Sequence, residues 1–238
     1  MKKIVISFIL ILSCSFPSLT AQSPIPKNKE TEKIKEEKPE IFRDRLIVDV
    51  FHSFWMGMPS EVEHLKFDPG FNISALWDFK VSKKSPISFG IGLGVSYYSQ
   101  FTNALLKVEN GPWTMRYYVL NSSIDYSLNR LNYVNCNLPV EFRYRHSSGF
   151  KFTIGARVGL VAEISQTYKG LNPDGTDEQI WRKSYEIYNK QKYNFDVYAR
   201  IGWKFVNVYY SFQITKMFQE GKGPQIYPMS LGISLSIF

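Results

Sequence analysis

The chain has 238 residues, 29 basic against 21 acidic for a formal net charge of +8, and 16% aromatic residues including 15 Tyr and 18 Phe. That length suits one domain, and the aromatic excess suits strands and interfacial girdles and argues against wholesale disorder. Three His and two Cys leave little material for imidazole or thiol chemistry, while the basic balance points to a nucleic acid or to an anionic lipid surface.

Met1, Lys2 and Lys3 precede an apolar run from Ile4 to Phe16, followed by PSLTAQ. This is a basic n-region, a short h-region and a small residue before a cut. The run is 13 residues long, and a spanning helix needs about 20, so residues 1–21 are read as a secretory signal cleaved after Ala21. A second reading is lipoprotein processing at Cys14, because Ile11, Leu12, Ser13 and Cys14 loosely match a lipobox, although Leu12 fits it poorly. Cleavage leaves Cys136 as the sole thiol, so no internal disulfide is expected. Export also turns the basic balance toward anionic headgroups and lipopolysaccharide, with no nucleic acid as partner. Residues 22–44 contain SPIPKNKETEKIKEEKPE. That stretch is dense in Lys, Glu and Pro and cannot bury a core, so it is read as a disordered periplasmic lead-in or, alternatively, a short docking peptide.

From Leu46 onward the apolar signal has period two, predicting strands near 45–55, 70–80, 87–100, 131–145, 151–165, 192–203, 206–215 and 227–238. In the third, Ile87, Phe89, Ile91, Leu93, Val95 and Tyr97 alternate with Ser88, Gly90, Gly92, Gly94 and Ser96. A soluble sandwich would put long charged groups on the second face, whereas a small Gly-rich face suits the crowded lumen of a small barrel. In the fifth, Phe152, Ile154, Ala156, Val158, Leu160, Ala162 and Ile164 are expected to face lipid, with Arg157 and Glu163 inward and Val161 breaking the register. The last strand alternates Met229, Leu231, Ile233, Leu235 and Ile237 with Ser230, Gly232, Ser234 and Ser236. Connections alternate long and short along the chain, the asymmetry of outer-membrane barrels. The reading is therefore all-β: an antiparallel transmembrane β-barrel of about eight strands over residues 45–238, in the outer membrane of a diderm bacterium, with both chain ends periplasmic.

The same register points Asp49, Asp78, Glu141, Glu163 and Asp196 into the lumen together with Arg143, Arg157 and Arg200. Unpaired charges there would be costly, so these groups are expected to neutralise one another as a hydrogen-bonded plug. A proton or small-solute path through them is the alternative.

The segment LNYVNCNLPVEFRYRHSSGFKFTIGARVGL resembles the middle hairpin of the PorT-like outer-membrane β-barrel family of Bacteroidetes. Leu138 and Pro139 form a Leu-Pro step, Val140 to Arg145 alternate apolar with charged groups, and a tight turn leads into a Gly-rich strand. GFNISALWDF and the closing MSLGISLSIF also sit where such barrels have theirs, so the resemblance spans residues 45–238. It implies a barrel that meets the barrel-assembly machinery during biogenesis and an envelope protein partner. One member of that family serves protein export and gliding by the type IX system, but most relatives have no assigned role. Phe238 resembles the terminal aromatic of assembly clients, yet Ile233, Leu235 and Ile237 are out of phase with the usual pattern. Pro139 within a strand implies a bulge or a strained edge position.

No constellation rises to catalysis. His64 lies in a long loop near Ser60, Glu61, Glu63 and Asp68, a set that a rim hydrolase could use and that a solvated polar loop explains equally. His52 is expected on the lipid face and His146 in a short turn. No Cys or His pair has metal-ligand spacing. NPDGTDE lacks the acidic spacing of a calcium loop, and its Pro173, Asp174 and Gly175 are turn formers first. The alternating glycines of the third strand open no helix and so form no nucleotide fingerprint. QIWRKSYEIYNKQKY mixes Trp and Tyr with Lys and Arg, as a headgroup belt requires. The expected function is non-enzymatic and cofactor-free, structural or part of an envelope or export assembly. The alternatives are a narrow channel for a small solute and, less favoured, a loop-borne hydrolase.

Overall fold

The computed structural model describes residues 45–64, 67–82, 85–109 and 113–237; the expected signal, Cys14, the lead-in and Phe238 fall outside them. The period-two segments form β1 (Leu46–Met56), β2 (Pro69–Lys80), β3 (Ile87–Phe101), β6 (Tyr126–Arg145), β7 (Phe150–Leu171), β9 (Tyr193–Trp203), β10 (Val206–Gln213) and β11 (Tyr227–Ile237). Each pairs antiparallel with its neighbours in the order β6-β3-β2-β1-β11-β10-β9-β7, and β6–β7 pairing closes the ring. Closure removes the open edges that would otherwise strand backbone donors in lipid. Three more strands lie in the long connections: β4 (Ala104–Val108), β5 (Met115–Val119) and β8 (Gln179–Ser184).

The outer surface of the ring is apolar and ordered by residue type. Its middle is aliphatic, with Val50, Ile73, Leu93, Val140, Val158 and Ile233 all exposed. Trp77, Phe79, Phe89, Phe142, Phe152 and Trp203 ring the end that carries the short turns. Phe54, Phe71, Tyr193 and Tyr210 lie toward the long loops, where the Phe71–Tyr97 and Phe212–Tyr227 rings stack. An aliphatic band between two aromatic girdles is what a bilayer solvates. The small face expected of β3 and β7 lies inside: a Cβ on Gly155 would come within 2.5 Å of the Tyr198 ring, and one on Gly90 within 3.1 Å of the Arg143 guanidinium.

Pro139 produces neither expected irregularity. The β3–β6 ladder runs through Ile91↔Val140, skips the next two positions, and resumes at Gly94↔Asn137 in the same register. Pro139 still pairs with Arg157 on its other side, so the missing N–H interrupts one ladder over two positions and not the strand.

The β6–β7 ladder shifts register twice, once near the start of β6 between Tyr126 and Leu128 and once at a bulge on β7. Val134 pairs with Glu163 and Asn135 with Val161, leaving Ala162 as the extra residue. One inserted residue moves every later side chain to the opposite face. Ile164, expected on the lipid face, is buried in the core cluster, and Val161 packs partly buried against that cluster. Beyond the bulge β6 and β7 outrun the barrel, and β8 joins the far end of β7 from Gln166↔Ser184 to Leu171↔Gln179.

Candidate functional site

The lumen is filled in layers. Near the short turns, Arg145 Nη1 donates to Asp78 Oδ2 at 2.7 Å and Arg143 Nη1 to Asp78 Oδ1 at 3.3 Å. One layer deeper, Glu141 accepts from Arg143 Nε at 2.5 Å, from Arg200 Nη1 at 2.6 Å and from the Tyr198 hydroxyl at 2.7 Å. Arg200 then grips Asp49 with two nitrogens, Nε to Oδ1 at 3.0 Å and Nη2 to Oδ2 at 2.7 Å. Asn72 adds a third donor to Asp49 at 2.7 Å. Deeper still, Arg157 Nε donates to Asp196 Oδ1 at 2.6 Å and Nη2 to the Tyr209 oxygen at 2.7 Å. The Arg157 and Arg200 guanidinium carbons lie 4.7 and 4.6 Å from the Tyr198 ring centre. Four carboxylates thus face four guanidiniums, and charge-assisted, partly bidentate hydrogen bonds join every one to a partner of opposite sign.

Asp49, Asp78, Glu141, Arg143, Arg157, Asp196 and Arg200 all take part in this network. Glu163 does not. Its side chain is 39% exposed and pairs at 3.1 Å with Lys183 on β8, because the Ala162 bulge turns it away from the lumen. Tyr185, and after it Glu163, hold the Lys183 ammonium above its ordinary value against the opposing effect of burial. Arg145 is a member that sequence reading passed over, though it shares the odd-numbered phase of Glu141 and Arg143 in β6.

Above the network the lumen turns aromatic and then apolar. Tyr209, Phe51, Tyr98 and Tyr133 are buried in that order, with ring centres 5.3 to 5.7 Å apart in successive pairs. Over them sits a cap made by the long loops. The β4–β5 hairpin hangs from the wall by Gln166, which accepts from Leu106 N at 2.8 Å and donates to Ala104 O at 3.1 Å, and by Asn129, which donates to the same carbonyl at 2.8 Å. Met115 N donates to Lys222 O and Gln191 N to Met217 O, tying three loops together. Met115, Met217, Phe218 and Ile226 are fully buried beneath that knot. Nothing in strand periodicity signals a cap, since its apolar residues are scattered through irregular loops.

The His64 constellation is a loop staple. His64 Nδ1 lies 3.0 Å from Asp68 Oδ2 and Gln100 Nε2 lies 3.2 Å from the same ring nitrogen, so Ser60 is not its partner. Asp68 also accepts from Phe101 N at 2.7 Å and its own N–H donates to His52 Nδ1 at 3.0 Å. His146 sits in the β6–β7 turn against Ser148. Among the described residues no group of three His, Cys, Asp or Glu side chains is placed to hold a metal.

The closed ring, its apolar girdled surface and its charge-balanced interior decide the architecture. This is an eight-stranded transmembrane-type β-barrel. No protein-family model and no curated protein matches the chain. Among solved structures it is similar to Ail, the attachment invasion locus protein of Yersinia pestis, crystallised with the heparin analogue sucrose octasulfate. The identity is 10%, over 80% of this chain and 95% of that one, with a TM-score of 0.32. The barrel assignment rests on the chain's own strand pairing.

Proposed function

We propose that this chain is a non-enzymatic outer-membrane barrel with a sealed lumen, whose long loops or lead-in engage another envelope component in a structural or export assembly of the PorT-like kind. The observation that carries this reading is the double seal. A knotted apolar cap covers one mouth, and beneath it every lumen carboxylate is held by guanidinium. An eight-stranded ring is barely wider than its own side chains, which supports the same reading. Both β1 and β11 have their free ends at the short-turn rim, in keeping with periplasmic chain ends and with long loops facing outward. The test is reconstitution of the purified protein in planar bilayers, with parallel fractionation of the producing cells. No single-channel steps and an outer-membrane fraction are expected. Regular conductance steps would remove the sealed-lumen reading.

A narrow solute path is the second reading, and one feature favours it. Arg157 Nη1 and the Ser230 and Ser234 hydroxyls are buried without a hydrogen-bond partner, and buried polar atoms of this kind are ordinarily met by water. A proton-flux assay in liposomes separates the two readings, because a hydrated seam could pass protons while remaining silent to ions.

A further inference from the structure

β8 ends the sheet: it follows β7 in the strand order, and among the described residues no strand lies on its other side. The ladder fixes what that edge offers. Asn172 N–H donates to Glu178 O, and the register runs on through Gly170↔Ile180 and Tyr168↔Arg182, so the even-numbered residues direct their backbone groups to β7. In an antiparallel ladder the alternate residues point theirs the other way. Gln179, Trp181 and Lys183 therefore present N–H and C=O groups at an open edge, with Asp177 next in the same phase. The side chains of Gln179, Trp181, Arg182 and Lys183 are exposed. Trp181 is 79% exposed, more than any other large apolar side chain among the described residues. Sheet edges are ordinarily defended by charge, Lys above all. Here the charge has an order: Thr176 to Ser184 reads TDEQIWRKS, acidic before Ile180 and basic after it.

We infer that β8 is a self-recognition strand, which pairs antiparallel with β8 of a second copy about a two-fold axis at Ile180. In that register Ile180 meets Ile180, Glu178 meets Arg182, Asp177 meets Lys183 and Thr176 meets Ser184. Each charged residue thus faces one of opposite sign, the arrangement that stabilises a cross-strand pair. Gln179 faces Trp181, and both belong to the set whose backbone groups point outward, so the hydrogen bonds of the two copies fall in phase. The two Trp181 rings take diagonal positions within reach of one another. Moving the axis one residue either way loses every ion pair, and moving it to Arg182 sets guanidinium against guanidinium. The existing partners leave room for this exchange: Lys183–Glu163 and Arg182–Glu186, at 3.1 and 4.0 Å, are part-exposed surface pairs, and an ammonium has three donors. The axis stands perpendicular to the sheet. Because that sheet continues the barrel wall, the second copy is turned over and its barrel belongs to a facing membrane. The partner is therefore another copy of this chain on an apposed outer membrane, and the inference holds whether or not the lumen conducts.

The test uses the full chain, in dodecyl maltoside by sedimentation velocity and in liposomes by light scattering. The unaltered protein is expected to self-associate and to cluster vesicles. Asp177→Lys and Lys183→Asp each place like charges opposite one another, and each alone should weaken association by about tenfold or more. Mixed in equal amounts, the two variants regain opposite charges across the interface and should associate with each other. Ile180→Cys in a Cys136→Ser background gives a second readout. Facing itself in a closely spaced pair, it should form a disulfide-linked dimer under mild oxidation, whereas Trp181→Cys, which faces Gln179, should not. Folding is checked by heat-dependent gel migration; should Lys183→Asp fray β8 by facing Glu163, the cross-link at position 180 decides alone. A monomer at every concentration with no such cross-link overturns the inference and leaves the edge to a strand of another protein. Association that both charge variants leave at full strength overturns it too.

Discussion

Arg200 bridges Asp49 and Glu141 from the centre of the network, so its loss would leave two carboxylates buried without their main partner. Removing one member of a buried ion pair costs about 3–5 kcal/mol, and Arg200→Met is expected to lower the unfolding free energy of the liposome-embedded barrel by that order. Glu163 provides the contrast. Half-exposed and salt-bridged at the rim, it belongs with surface pairs whose loss costs about 1 kcal/mol or less. Urea titrations of Arg200→Met and Glu163→Ala should differ accordingly; a large effect of Glu163→Ala would return that side chain to the lumen. These assignments divide cleanly by whether parity holds along the strand. Asp49, Asp78, Glu141, Arg143, Arg157, Asp196 and Arg200 were legible because parity is unbroken between each of them and the short-turn end of its strand. Glu163 was not, because it lies beyond Ala162.

At the scale of the element, β7 is two strands in one. Up to Leu160 it alternates lipid and lumen with β6 and β9 as neighbours; past the bulge it exchanges β9 for β8 and presents its other face inward. Two isoleucines on this strand therefore have opposite environments: Ile154 is exposed to lipid and Ile164 is 2% exposed in the core. Ile164→Ala should cost about 2–5 kcal/mol, while at Ile154 acyl chains refill the space and the cost should be small. Equal losses at both sites would remove the bulge-driven inversion. On β3, Leu93 sits mid-strand on the aliphatic band, and Leu93→Arg should destabilise by about 2–4 kcal/mol if that band lies at the bilayer midplane. The irregularity at Val161 was visible as a break in pattern, but a single break does not say whether a residue is inserted or merely apolar.

For the whole molecule, the two seals are independent. The apolar cap is built from loops held to one another and to Asn129 and Gln166, whereas the charge network is built from strands. Replacing residues 104–119 with a short Gly-Ser linker should remove much of the cap while the ring still closes through β3–β6 pairing. We expect heat-dependent gel migration to survive, the unfolding midpoint to fall, and conductance to remain nil because side chains still fill the lumen below. Channel activity in that variant would make the cap the sole seal.

The sequence by itself determined the number of ring strands, their ends at the short-turn rim to within a few residues, the lipid and lumen faces up to the bulge, and most of the charge network, whereas β6 and β7 run five and six residues further toward the long loops than their periodicity indicated. All of these follow from the period of two that a strand with lipid on one side and packing on the other imposes. Only the tertiary structure decided which carboxylate meets which guanidinium, since partners such as Asp49 and Arg200 lie 151 residues apart. It also decided the phase inversion at Ala162 and the loop-built cap, because a single inserted residue and contacts between irregular loops leave no periodic trace in a chain.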